Sequence, residues 1–256
     1  MTSQDSNLFF VPQRLLAPKL RLFYFPFAGG SAQSYQQWHY SSHSDVEQVF
    51  VQLKGRGSRI CERPHQTMQQ QVEELMTHAA YFTEYPFMIF GHSLGALISY
   101  ALCCQLQKSN FPMPLHLFVS ACRAPHLPFL NKSRHALPQD EFIQALEQLN
   151  GTPVEVLRNE ELMALFEPML RADFKIAETY QAEPIPMPFP FSVIYGEQDT
   201  STHMSQLTAW NELTKKKCTM RSYPGEHFYI NQSPDQLTDY IQSVIGQCLN
   251  DKAVGV

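Results

Sequence analysis

Apolar residues fall in short, nearly unbroken runs: LRLFYF (20–25), VFVQL (49–53), FMIF (87–90), LHLFVSA (115–121) and FSVIYG (191–196). Runs of this length, rich in Phe, Val, Leu and Ile, predict strands buried on both faces. Helical spacing predicts helices over 69–82, before the third run, and over 94–107, after it. Such alternation predicts an α/β fold, with a mainly parallel central sheet flanked by helices. No internal repeat or low-complexity tract appears, and residues 1–256 read as a single domain.

From Pro125 to about Pro190 the alternation stops. QDEFIQALEQLN (139–150) places Phe142, Ala145, Leu146 and Leu149 on one helical face. NEELMALFEPMLRADFKIAETYQ (159–181) does the same with Leu162, Leu165, Phe166, Met169 and Leu170, and Pro168 is expected to kink or divide it. The four prolines of EPIPMPFPF then return the chain stiffly to the strand at 191. Residues 126–185 therefore read as a helical insertion, either a lid over a site or a peripheral layer.

Charge and composition narrow the partners. A net charge of −5 argues against duplex nucleic acid, which needs a basic surface. No eighteen apolar residues run together and the first twenty hold no signal-like core, so no membrane span and a cytoplasmic location are expected. Cys61, Cys103, Cys104, Cys122, Cys218 and Cys248 are scattered without a CxxC, which predicts free thiols and no metal site.

The run FMIFGHSLGALISYALCC (87–104) holds the first chemical signal. Gly91-His92-Ser93-Leu94-Gly95 matches G-x-S-x-G between a predicted strand and a predicted helix. A strained strand-to-helix turn leaves no room for side chains beside the serine, while it projects the hydroxyl outward toward helix-start N–H groups. The rival is a tight turn whose serine merely caps the helix.

A serine needs a base, and in the α/β-hydrolase arrangement the partners follow in the order Ser, acid, His. His39, His43, His65, His78 and His92 precede Ser93. Asp199 lies after the late strand FSVIYG, with Glu197 as runner-up acid, and only His203 and His227 follow it. His203 falls where a helix is expected to begin and reads as a surface residue, whereas His227 follows CTMRSY in PGEHF, on the loop after a last strand. The expected roles are Ser93 as nucleophile, His227 as base and Asp199 as the group that fixes the imidazole. Leu94 N–H and, from FPFAGGS (25–31), Ala28 N–H are the expected oxyanion donors. The rival reading of Gly29-Gly30, a phosphate loop, has no Gly-Lys-Ser or GxGxxG context.

FPFAGGS, GRGSR (55–59), FGHSLGA (90–96), GTPVEVLRNEELM (151–163), LRADFKIAETY (170–180) and PGEHFY (224–229) together resemble the type II thioesterases that accompany nonribosomal peptide and polyketide synthetases. The resemblance runs from about residue 20 to 245. It implies an α/β-hydrolase fold with 126–185 as lid, and the hydrolysis of acyl or aminoacyl thioesters from phosphopantetheinyl carrier domains, clearing misprimed or stalled modules. It places Ser93, Asp199 and His227 at the triad and Ala28 and Leu94 at the oxyanion hole. No cofactor is expected, since phosphopantetheine arrives on the partner, and a monomer is expected. Lys54 stands where the family commonly has proline, and Glu226 where it commonly has glycine, which puts a carboxylate beside His227 in the chain. Lys54, Arg56, Arg59, Arg63, Arg123 and Lys132 are candidates to meet the arm's phosphodiester or an acidic carrier, against a reading as solvated surface charge. Alternatives are a medium-chain-releasing thioesterase of a fatty acid synthase, a carboxylesterase, and a non-catalytic carrier-binding module.

Overall fold

Among the described residues seven strands, β1 (Phe9–Phe10), β2 (Leu20–Phe25), β3 (Val46–Val51), β4 (Phe87–His92), β5 (His116–Ser120), β6 (Phe191–Gly196) and β7 (Cys218–Tyr223), form one sheet in the order β1-β3-β2-β4-β5-β6-β7. Pairing is parallel except between β1 and β3. The structure, a computed structural model, describes residues 7–35, 38, 44–232 and 234–254. Side chains of β2 show why the strands lack polar alternation. Leu22 and Tyr24 enter one apolar layer with Phe90, Ile241 and Ile245, while Phe23 and Phe25 enter the other with Phe82, Ile89 and Leu97. Both faces of the sheet are covered, as period-two side chains on parallel strands require.

The helices are α1 (Met68–Met76), α2 (Ala79–Thr83), α3 (Leu94–Lys108), α4 (Gln139–Leu149), α5 (Val154–Leu157), α6 (Glu160–Thr179), α7 (Met204–Thr208) and α8 (Pro234–Val254). The helix expected over 69–82 is two, because α1 ends at Thr77 and α2 restarts from His78. The one-sided β1, the short α5 and the C-terminal α8 were not expected.

Helices α4, α5 and α6 fill the interval between β5 and β6. Pro168 does not divide α6, which runs from Glu160 to Thr179. A proline inside a helix costs about 3 kcal/mol, and here Met163, Met169 and Leu170 are buried in a cluster with Phe142, Leu146 and Leu157 that offsets it. The buried stripe of α6 also differs from the expected face. Met163, Met169, Leu170, Asp173 and Ile176 are buried, whereas Leu162 and Leu165 are exposed. The stripe is centred on a buried charged residue, Asp173, which apolar spacing alone does not mark.

Candidate active site

In the whole of 87–103 only Ser93 is not buried. It sits between β4 and α3 with φ 53° and ψ −117°, a backbone conformation that costs a non-glycine residue about 1–3 kcal/mol. The strain is held by Ser93 N–H donating to Ser120 O (2.8 Å) and by Ala96 N–H donating to Ser93 O (3.0 Å). A Cβ on Gly91 would lie 2.4 Å from the backbone carbon of Gly95, so the glycine pair is the steric condition for the turn.

The adjacent strands β6 and β7 deliver the other two groups on neighbouring loops. Gln198 N–H donates to Gly225 O (2.9 Å) and Glu197 N–H to Tyr223 O (2.9 Å), locking the loops together. Across them His227 Nδ1 meets Asp199 Oδ2 at 2.9 Å, with the carboxylate 4% and the imidazole 15% exposed. Burial pushes the Asp199 carboxyl up, but hydrogen bonds from His227 and Ser201 outweigh it and hold it below its ordinary value. A charged carboxylate on Nδ1 fixes the tautomer that leaves Nε2 free as a base.

Ser93, His227, Ala28 and Leu94 line one cavity of about 110 Å³. Among the described residues no acceptor takes the N–H of Ala28 or Leu94, while Gly29 N–H is engaged by Asp173 Oδ2 at 2.8 Å. The rest of the wall is largely apolar, with Leu97 from α3, Leu149 from α4, Phe174 and Ala177 from α6, and Phe228.

The rival groups stand elsewhere. Glu197 is exposed and accepts from Ser222 Oγ, and His203 is exposed at the start of α7. The Glu226 side chain is exposed and makes no ion pair with His227. Histidines 39 and 43 lie outside the described residues. His92, within the pentapeptide, is fully buried with its ring 5.1 Å from that of His227. Burial holds its pKa well below the ordinary value, so it adds no second positive charge to the site. Its Nδ1 meets Ser120 Oγ (2.8 Å), which in turn meets Tyr229 OH (2.5 Å).

Most of the basic candidates for an anion face inward. Arg56 is paired with Asp173, Arg59 with Glu62 and Glu74, and Lys54 with the same two glutamates. Arg123 spends its guanidinium on the carbonyls of Ala124, Leu127, Ala177 and Tyr180. Lys132 is an exposed partner of Glu141, and Arg63 is exposed. Arg134, not singled out from the sequence, lines the cavity. Neither was Ser201, whose hydroxyl donates to Asp199 Oδ1 (2.6 Å) and lies 3.0 Å from His227 Nδ1. The available signal was its place two residues after Asp199, where an aspartate side chain accepts a backbone N–H, and Ser201 N–H does donate to Asp199 Oδ1 (2.8 Å).

Known proteins share both sequence and architecture. The chain is 37% identical over 226 residues to the gramicidin S biosynthesis protein GrsT of Aneurinibacillus migulanus, covering 88% of each chain. It is 33% identical to thioesterase PikA5 of Streptomyces venezuelae, over 83% of this chain and 76% of that one. The crystal structure of ClbQ from the colibactin NRPS/PKS pathway superposes with a TM-score of 0.83 at 30% identity, over 90% of this chain and 98% of that one. The thioesterase domain family matches residues 20–248, and with that coverage and that fold the chain belongs to the thioesterase family.

Proposed function

We propose that the protein hydrolyses short acyl or aminoacyl thioesters from the phosphopantetheine arm of synthetase carrier domains, clearing misprimed or stalled modules. The observation that carries this is the convergence of Ser93, the His227–Asp199 pair and the two unengaged N–H groups of Ala28 and Leu94 on one cavity. Ser93 Oγ attacks the thioester carbonyl as His227 Nε2 takes its proton, and the oxyanion is received by Ala28 and Leu94 N–H. The C–S bond breaks and the thiolate, from a thiol of pKa about 8.5, leaves with little acid assistance and takes the proton back from His227. Water, deprotonated by His227, then attacks the acyl-serine and releases the acid. The chemistry uses only these side chains and the arm carried by the partner. Helices α4 and α6 both contribute to the cavity wall, which favours the lid reading of 126–185 over a peripheral layer.

Cavity size favours short acyl groups. A cavity of roughly 150 Å³ holds one benzene, and this one is about 110 Å³. A medium-length chain, the main alternative substrate, needs more room. A non-catalytic binding module has no use for a strained Ser93 lining one cavity with a carboxylate-paired histidine.

The test is a panel of acetyl, propionyl, aminoacyl and octanoyl carriers alongside the matching free thioesters, ranked by kcat/KM. Short acyl carriers should lead, and equal rates on carriers and free thioesters would refute the need for a docked carrier.

A further inference from the structure

We infer that Asp173 and Arg56 are positioning residues for the oxyanion hole: the buried ion pair seats helix α6 against the loop that carries Ala28 and thereby aims the Ala28 N–H. The inference rests on Ala28 as oxyanion donor, and extends it to a group that touches neither substrate nor nucleophile.

Both side chains of the pair are 4% exposed. Arg56 Nη1 and Nη2 donate to Asp173 Oδ2 (2.6 Å) and Oδ1 (2.7 Å), the bidentate geometry that fixes a carboxylate in orientation as well as place. The same Oδ2 accepts Gly29 N–H, and the same Nη1 donates to Gly30 O at 3.1 Å. One ion pair therefore grips two consecutive residues of the FPFAGGS loop. The peptide between Ala28 and Gly29 is held by Asp173. The peptide between Phe27 and Ala28 is held by Gly30 N–H on Phe27 O (2.9 Å). Because a trans peptide points its C=O and N–H in opposite directions, fixing Phe27 O turns Ala28 N–H the other way.

Helix α6 also limits the loop sterically. Gly29 has φ +81°, and a Cβ there would lie 2.6 Å from Leu170 Cδ2, one turn along α6 from Asp173. Arg56 has a second duty. Alone, the Asp173 carboxylate would set a buried negative charge beside a site where an oxyanion forms, and the guanidinium neutralises it. The seat of α6 and the competence of the oxyanion hole are thus one contact.

The test uses Asp173→Asn and Arg56→Lys in the full chain, with an acetyl thioester of N-acetylcysteamine as substrate so that carrier docking plays no part. Phenylboronic acid, which adds to a serine hydroxyl as a tetrahedral anion, reports the oxyanion hole directly. Asp173→Asn should lower kcat on the order of 10–100-fold with KM within about threefold, and weaken boronate by the same factor as kcat. Arg56→Lys, which keeps the charge but loses the fork, should show the same split with a smaller loss of about fivefold. Thermal unfolding identifies the folded variant on which kinetics are read. A folded variant with a lower Tm but kcat and boronate affinity within twofold of the parent would overturn the inference, as would a loss confined to KM. Failure of the parent itself to bind boronate would instead count against the serine mechanism.

Discussion

Gly95 lies so close to Phe25 that a Cβ on it would stand 2.2 Å from the Phe25 carbonyl oxygen. The contact joins the first turn of α3 to the end of β2, so the turn that carries Ser93 and the start of the loop that carries Ala28 are packed backbone to backbone. Neither side can yield cheaply, since both are buried main chain, one in a helix turn and the other at the end of a central strand.

Gly95→Ala should accordingly destabilise the protein by about 3 kcal/mol, the upper end for forcing a methyl into a filled core. Urea unfolding measures it, and a loss under about 1 kcal/mol would mean that the β2–α3 contact relaxes. The hydrolysis rate should fall further than stability alone explains, because relaxation of Phe25 drags Ala28.

The sequence made the sheet legible where strands are buried on both faces, since LRLFYF and FSVIYG coincide with β2 and β6, and CTMRSY coincides with the half-exposed edge strand β7. Edge strand β1, two residues long, is too short to show a period. Helix α8 did carry a signal, with Leu237, Ile241 and Ile245 buried at four-residue spacing behind Pro234, but polar residues between them dilute it. The pairing of His227 with Asp199 was readable because the loops after the adjacent strands β6 and β7 lie side by side. The Arg56–Asp173 pair was not, because its members are 117 residues apart and buried charges follow no periodic pattern.

Acid stability should depend on Glu74, which receives Arg59 Nη2 at 2.6 Å and lies 3.1 Å from His65 Nε2. Burial raises its pKa, but the hydrogen bonds from His65 and Arg59 prevail and bring it from 4.5 down to about 2. A carboxyl depressed in the folded state stabilises fully above its unfolded value and loses that contribution as pH falls toward the folded one. Glu74→Gln should therefore cost about 1–2 kcal/mol at pH 7, and the difference from the parent should shrink as pH drops from about 4.5 toward 2. An equal difference at pH 7 and pH 2.5 would exclude this origin.

The apolar wall predicts acyl selectivity. Phe174 from α6 lines the cavity and stacks edge-on to Phe142 at 5.9 Å between ring centroids. Phe174→Ala should lengthen the space and raise kcat/KM on octanoyl relative to acetyl thioesters about tenfold, the scale on which a pocket discriminates one methylene. An unchanged ratio would place the acyl chain elsewhere.

Thiol reactivity should follow burial. Cys122 lines the cavity, yet burial pushes its pKa up to about 12, and its Sγ lies 3.3 Å from Arg123 O. Cys61 is exposed. Iodoacetamide at pH 7.5 should alkylate Cys61 first with full activity retained, as peptide mapping against residual turnover would show. Activity lost in step with a modified Cys122 would contradict it.

Ser201 supplies the sharpest test of the proposed triad. Its hydroxyl donates to Asp199 Oδ1 while its lone pairs face His227 Nδ1, so it braces the carboxylate through the oxygen that the imidazole does not use. Ser201→Ala leaves the Ser201 N–H on Asp199 in place. The Asp199 pKa should rise from its depressed value toward 3.8, still far below working pH, so the carboxylate stays charged and the loss must come from orientation. The expected result is a fall of about tenfold in kcat/KM, equivalent to ~1.4 kcal/mol, uniform from pH 6 to 9, with Ser201→Thr close to the parent. A deficit that grows toward acid pH would show that Ser201 serves the charge of Asp199 rather than the direction of His227.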